Sequence, residues 1–546
     1  MQTQSAPSSD RLLHWPASSV PALALVLLAI IFFGLIRYRV REMPLERDEG
    51  EYAYSGQLIL QGIPPYKLAY NMKLPGIYLA YAGALAAFGE SPAGVHLGLL
   101  FVNAVAVLLA FALTLQMFGQ LAAIVAACSY ALLSTSTSVM GFEAHATNFV
   151  VVWALAAVLF LLATLRQWRW WMFFLSGVCA GIAILMKQHG IFFALFCLFY
   201  FVSVERKQKT RIAAIFGRGA IFAFGVILPY ATVCWFLYND GVFREFWFWT
   251  VSYAGEYSKV GLHRAVRSFL ENFSAVTRPA LPLWILAAIG ASTPLWSTNA
   301  RRYYKFMTLL FVFSFLSLCP GAFFRPHYFI LLLPVVAILA GVAVSAATVN
   351  LTVHPRYSRF AAIPSLLFLA AFAYSVLEQR QVYFSMSPIE IVQATYGENA
   401  FVPALQIADY IRTHTPQDTR IAVLGSEPEI YFYAQRHSAT GYIYMYSLIG
   451  HQKYIAAMRE EFLRELEDNH PEYLVYIDVP DSWGERSGVP GAAGFLAELE
   501  EFKDRNYERV GLAEISGAQT GYICGEAAIG YVTHASKAIY VLKRKG

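Results

Sequence analysis

The chain has 546 residues, 57% of them hydrophobic and 14% charged, with a formal net charge of +5. Soluble domains carry about 25% charged residues, so this composition excludes an ordinary soluble enzyme. It also excludes a nucleic-acid binder: the small positive excess lies in short loops between apolar blocks, and no basic cluster is interleaved with a base-stacking platform. Of the six cysteines, Cys128, Cys179, Cys197, Cys234 and Cys319 lie within apolar blocks and Cys524 stands alone near the C-terminus. They give neither a disulfide framework nor a CxxC metal pair.

The first apolar block, 20–35, is followed by Tyr38, Arg39 and Arg41 rather than by a small-residue cleavage site, which predicts an uncleaved first span. Blocks 98–117, 147–165 and 212–237 each approach or exceed the roughly 20 residues needed to cross a bilayer as a helix. Trp168, Trp170, Trp171, Trp247 and Trp249 near block ends fit interfacial belts. The strongly basic short loops are 205–218, 299–305 and 354–359, with two further arginines in 166–170; the positive-inside rule predicts all four in the cytoplasm. Segments 141–145, 187–190, 240–278 and 320–327 then face outward, as does everything after Tyr374. Block 74–88, about 15 residues, is short for a span. Treating it as an interfacial or re-entrant helix puts the first loop, about 38–93, on the outer side with 141–145. The expectation is a polytopic α-helical membrane protein with roughly 11–13 transmembrane helices over 1–380. The basic flank 37–41 speaks against its outward placement.

From 385 to 546 charges return. Segments 420–424, 473–477 and 538–542 predict short buried strands, and 401–413 and 454–468 predict amphipathic helices, together a small outward-facing α/β domain. Gly425-Ser426-Glu427-Pro428-Glu429 follows a strand but lacks the glycine spacing of a nucleotide fingerprint. No motif in this region predicts catalysis.

Charged residues at span ends are candidates for function, because charge at membrane depth is costly. One cluster is Arg47-Asp48-Glu49-Gly50-Glu51-Tyr52; taken alone, such a run reads as a solvated acidic loop. A second is Glu143-Ala144-His145. Two carboxylates in meeting loops, Asp48 and Glu143, either bind a cation or hold one proton between them, and His145 adds a nitrogen ligand. The competing reading makes Glu143 an acid favoured by a helix N-terminus. A third group is cationic. Arg325, with His327 close by, can clamp a phosphate bidentately, Lys73 can act on it as a point charge, and Lys187 either joins them or snorkels to the interface.

The order Asp48-Glu49, then Gly62-Ile63-Pro64-Pro65-Tyr66, then Lys73-Leu74-Pro75 resembles the first external loop of the polyprenyl-phosphate-sugar glycosyltransferases of the GT-C superfamily, which include the protein O-mannosyltransferases and the lipid A aminoarabinose transferases. Glu143 matches that family's second acidic motif, and Arg325 its basic residue before a late span. The resemblance implies a GT-C-like enzyme of the cell inner (plasma) membrane, its C-terminal domain periplasmic or extracellular. It implies a sugar moved from a polyprenyl-phosphate donor to a hydroxyl of a lipid, glycan or protein by a single inverting displacement. Asp48 and Glu49 are then the catalytic acids, with Asp48 the base. Lys73, Arg325 and Lys187 hold the donor phosphate, and membrane lipid surrounds the site. Met72 departs from members in which a carboxylate precedes the Lys-Pro turn and helps hold a metal. A divalent cation here would rely on Glu49, Glu143, His145 or His327. Two other classes fit the composition: a transporter or flippase, against which stand the missing inverted repeat and the outward tail, and a lipid-linked-glycan polymerase or ligase, for which Arg244, Arg264 and Arg267 in 240–278 would serve.

Overall fold

The computed structural model describes residues 20–257, 262–450, 452–484, 491–517 and 519–545. Among the described residues nine α-helices come first: α1 (Val20–Arg39), α2 (Arg47–Leu60), α3 (Pro75–Phe88), α4 (Pro92–Phe118), α5 (Gln120–Leu133), α6 (Ala146–Arg166), α7 (Trp170–Met186), α8 (Ile191–Lys207) and α9 (Ile212–Asn239). Among the described residues eight helical stretches are long and apolar enough to cross a bilayer. They include α1, α4, α6, α9 and the late helix Leu333–Val353. The chain is thus a multi-pass membrane protein, whose backbone polar groups are satisfied within each helix as lipid requires.

Hydrogen bonds between helix ends define two sides. On one, Arg37 near the end of α1 donates to the carbonyls of Ser134 and Gly141, just after α5. Arg39 donates to the Tyr383 and Met386 carbonyls, just after Ile363–Glu378. The His189 ring before α8 meets the Ser317 carbonyl after Tyr304–Leu316. On the other side Arg166, ending α6, donates to Gln116 near the end of α4, and Asn350 donates to Trp296. The shorter apolar helices α5, α7 and Tyr304–Leu316 run between these two sides. All four basic loops lie on the side opposite the first loop. Within the basic flank 37–41, Arg37 is buried and Arg39 half-buried, both holding carbonyls of the protein itself.

α3 begins and ends on one side. Lys73, just before it, pairs with Asp48 of α2, and Glu90, just after it, accepts from Gln57 of α2. Its 14 residues span about 21 Å, less than the roughly 30 Å hydrocarbon core. Gly76 presses it on α7: a Cβ there would lie 2.6 Å from the Leu185 backbone.

The C-terminal region forms one six-stranded sheet in the order β2-β1-β3-β6-β4-β5. Its strands are β1 (Arg420–Leu424), β2 (His437–Ser438), β3 (Tyr473–Asp478), β4 (Tyr507–Ser516), β5 (Gln519–Cys524) and β6 (Lys537–Arg544). β1 pairs parallel with β2 and β3, and the remaining pairs are antiparallel. The central strands β1 and β3 are apolar runs covered on both faces, as parallel pairing requires. Helices Phe401–His414, Ile455–Asn469 and Ala492–Asn506 accompany the sheet.

This domain sits directly on α2. Arg47 donates to the Ser426 carbonyl and pairs with Glu427 at 2.9 Å. Tyr444 donates to the Arg47 carbonyl, the Ser438 amide donates to the Tyr54 hydroxyl, and Tyr54 stacks on Tyr431. Gly50 is where the approach is closest: a Cβ would lie 2.6 Å from both Cβ and N of Glu429.

Candidate functional site

The acidic cluster after α1 is the first turn of α2 rather than a solvated loop. Glu46 and Glu49 form a capping box in which the Glu49 amide donates to Glu46 Oε1 at 3.0 Å and the Glu46 amide to Glu49 Oε2 at 3.3 Å. On a helix, neighbouring side chains point about 100° apart, so Asp48 and Glu49 face different surroundings.

Asp48 faces the cations. Its Oδ2 is 3.1 Å from Lys73 Nζ, which also donates to the Tyr52 hydroxyl at 3.1 Å. Burial pushes the Asp48 carboxyl up, but Lys73, His145, Arg325 and Lys187 together hold it well below the usual carboxylate range. Lys187 is buried, its ammonium 4.1 Å from the Tyr328 ring centroid. Burial and then the Lys73 charge depress its pKa. The Arg325 guanidinium lies 5.5 Å from the Phe323 ring centroid, exposed at the edge of the group. Lys73, Lys187 and Arg325, expected from the sequence to share a phosphate, therefore all act on one carboxylate.

The same carboxylate meets two histidines. Ligand atoms of Asp48, His145 and His327 lie within 4.8 Å of one another. The two rings stack with centroids 4.0 Å apart, and His145 Nδ1, His145 Nε2 and His327 Nδ1 are buried without a hydrogen-bond partner. Buried imidazole nitrogens left unmatched are costly. One carboxylate and two imidazoles is a donor set that fits a divalent first-row ion.

The structure places Glu49 and Glu143 apart from the groups that face Asp48. Glu49 is wholly buried, with Oε1 accepting from the Ala144 amide at 2.6 Å and lying 3.2 Å from His96 Nε2. Burial pushes its pKa up, but His96 and the Ala144 amide bring it below the usual value. Glu143 is not in the group of possible ligand atoms around Asp48, which among the described residues is formed with His145 and His327. Glu143 lies behind them, its Oε1 3.5 Å from the Tyr396 hydroxyl and its Oε2 buried without a partner. Burial and the neighbouring Glu49 raise its pKa to about 7. The second loop contributes to the centre through His145, the N-cap position of α6, rather than through its acid.

Sequence reasoning placed Glu51 in the first cluster without a role of its own, and gave no role to Asn71, Tyr78 or His96. Glu51 accepts from Tyr78 at 2.6 Å and from Asn71 at 2.8 Å, tying the turn before α3 to α2, and burial raises its carboxyl to about 7. The available signal was spacing, since Glu51 is three residues after Asp48 and three apart is one face of a helix. Of the arginines in 240–278, Arg267 is exposed and pairs with Glu271 at 2.8 Å.

Residues 73–235 match the family described as dolichyl-phosphate-mannose-protein mannosyltransferase. No curated protein matches the chain by sequence. Among solved structures, ArnT from Cupriavidus metallidurans bound to undecaprenyl phosphate is similar at a TM-score of 0.58 and 16% identity, over 96% of this chain and 98% of that one. The oligosaccharyltransferase AglB from Archaeoglobus fulgidus, in complex with an inhibitory peptide and a dolichol-phosphate, is similar at 0.54 and 13% identity, over 93% of this chain and 75% of that one. The A. fulgidus oligosaccharyltransferase in complex with Zn and sulfate gives 0.53 and 14% identity, over 91% and 73%. The helical membrane body and the small sheet domain seated on its first loop thus share the fold of these solved structures, and residues 73–235 within that body match the mannosyltransferase family model.

Proposed function

We propose that the chain transfers a sugar from a polyprenyl-phosphate donor to an acceptor hydroxyl at the Asp48 centre, on the outer side of the membrane. The single observation that carries this reading is the convergence of Lys73, Lys187 and Arg325 on one partly buried carboxylate at the end of the membrane body. Lys73, Lys187 and Arg325 gathered around Asp48 give the centre a cationic lining, which suits a lipid phosphate arriving from the bilayer.

In the reaction the acceptor oxygen bonds to the anomeric carbon as the bond from that carbon to the phosphate oxygen breaks. The acceptor proton goes to Asp48 and the polyprenyl phosphate leaves as an anion held by the three cations. With no donor present these cations make Asp48 a weak base. A bound phosphate takes up much of their field, so Asp48 gains basicity when substrate is in place. Phosphate departure gives the anomeric carbon oxocarbenium character and makes the attacking hydroxyl more acidic, so a carboxylate suffices as base. Asp48, His145 and His327 would hold a divalent ion, which would add charge opposite the departing phosphate. The similar archaeal enzyme in complex with Zn and sulfate supports a metal in this type of fold.

The test incubates purified protein in detergent with a panel of polyprenyl-phosphate sugars and scores release of the polyprenyl phosphate together with sugar transfer. Turnover with one donor class supports the reading. Absence of turnover with every donor, alongside translocation of any of them in proteoliposomes, would replace it with a flippase.

A further inference from the structure

His96, five residues into α4 and outside every motif of the sequence, lies between two acceptors. Its Nδ1 is 2.7 Å from the Arg41 carbonyl and its Nε2 is 3.2 Å from Glu49 Oε1. A carbonyl can only accept, and a neutral imidazole carries one N–H. Both contacts are satisfied only if the pair holds an additional proton, either as imidazolium beside carboxylate or as a carboxylic acid donating to Nε2. Both partners are buried, His96 at 5% exposure and Glu49 at 0%. Such a pair is held firmly, because losing either member leaves the other uncompensated.

What the pair grips is the loop before α6. Glu49 Oε1 also accepts from the Ala144 amide at 2.6 Å, and the Tyr81 hydroxyl of α3 donates to the Ala144 carbonyl at 2.8 Å. Both polar groups of the Ala144 backbone are therefore fixed, one through α2 and α4 and the other through α3. The next residue is His145, whose ring stacks on His327 and reaches Asp48. Arg37 grips the same loop further back at the Gly141 carbonyl, 2.6 Å away.

We infer that His96 is a positioning residue: it fixes Glu49, Glu49 and Tyr81 fix Ala144, and Ala144 sets the His145 ring against Asp48 and His327. The kinetic consequence rests on the glycosyl-transfer reading; the structural consequence does not. A misplacement of about 1 Å at a reacting centre costs on the order of 100-fold in rate.

Two variants test it, His96→Gln and His96→Phe, each measured by hydrogen–deuterium exchange over residues 141–148 and by donor kinetics. The expected result is exchange at Ala144 faster by about 10-fold or more in both, with the thermal midpoint read in parallel to show that the protein stays folded. With an active donor, kcat falls by roughly 10- to 100-fold while donor KM stays within about 3-fold, because His96 touches none of the three cations. Two groups acting as one unit are not additive, so the double variant His96→Gln/Glu49→Gln is expected to be no slower than Glu49→Gln alone. Unchanged exchange in folded variants, or kcat and KM moving together, overturns the inference. If the wild type turns over no donor, the functional reading fails, and the exchange measurement still decides this one.

Discussion

Replacing Glu143 with glutamine should make the protein more heat-stable in mild alkali and not in acid. The Glu143 carboxyl is 3% exposed, and burial with the neighbouring Glu49 charge raises its pKa from 4.5 to about 7. The folded protein therefore keeps a proton that the unfolded chain releases on passing 4.5. Between 4.5 and about 7 the folded state binds more protons, so stability falls as pH rises through that window and is level above it. A shift of that size at 1.36 kcal/mol per unit is worth about 3 kcal/mol at most. Glutamine has no proton to lose, and its amide can still meet the Tyr396 hydroxyl. Thermal unfolding in detergent, followed by intrinsic fluorescence at about pH 4.5 and about pH 8, reads the difference directly. The variant and wild type should melt together in acid, and the variant should melt several degrees higher at alkaline pH. A gap between them that is the same at both pH values would refute the argument, because it would mean that the carboxyl does not titrate as its surroundings require.

Arg325→Lys keeps the charge at the edge of the cationic group but loses the planar fork, so donor KM should rise by roughly 10-fold in a steady-state transfer assay. Gly50→Ala drives a methyl group into the Glu429 backbone. It should cost about 1–3 kcal/mol, as overpacking does, and limited proteolysis should release the C-terminal domain faster. A divalent ion such as Zn²⁺ at about 100 times its Kd should stabilise the wild type by about 2.7 kcal/mol, raising its melting temperature, and His145→Ala or His327→Ala should abolish that rise.

Much of the membrane body could be read from hydropathy and loop charge, because lipid demands long apolar helices. Length alone was a poor guide to which short helices cross. α3 and α5 both have 14 residues, yet α5 runs between the two sides and α3 does not. The difference lies in what their ends bond to, which depends on α2 folding as a helix beside them. β1, β3 and β6 were legible as apolar runs. β4 and β5 were not, since Tyr507–Ser516 carries Glu508, Arg509 and Glu514 and shows no continuous apolar stretch.

At the site, Asp48, Lys73, Lys187 and Arg325 were legible as charges at span ends, a placement that is costly without a use. The roles of Glu49 and Glu143 were not, because adjacent residues point apart once 47–52 becomes a helical turn. A carboxylate's partner is also fixed by tertiary contact: His96 reaches Glu49 across 47 positions of sequence. The His145–His327 pairing depends likewise on two loops 182 residues apart in sequence.

The central claim is that Asp48 accepts the acceptor proton while the surrounding cations hold the lipid phosphate. Its most direct measurement is transfer by Asp48→Asn, compared with wild type using the same polyprenyl-phosphate sugar, with binding of polyprenyl phosphate measured on the same preparation. Loss of the base should lower kcat by about 10²- to 10⁴-fold, while phosphate binding is kept or strengthened because Lys73 loses its competing carboxylate. Transfer at the wild-type rate in a folded, phosphate-binding variant would contradict the account.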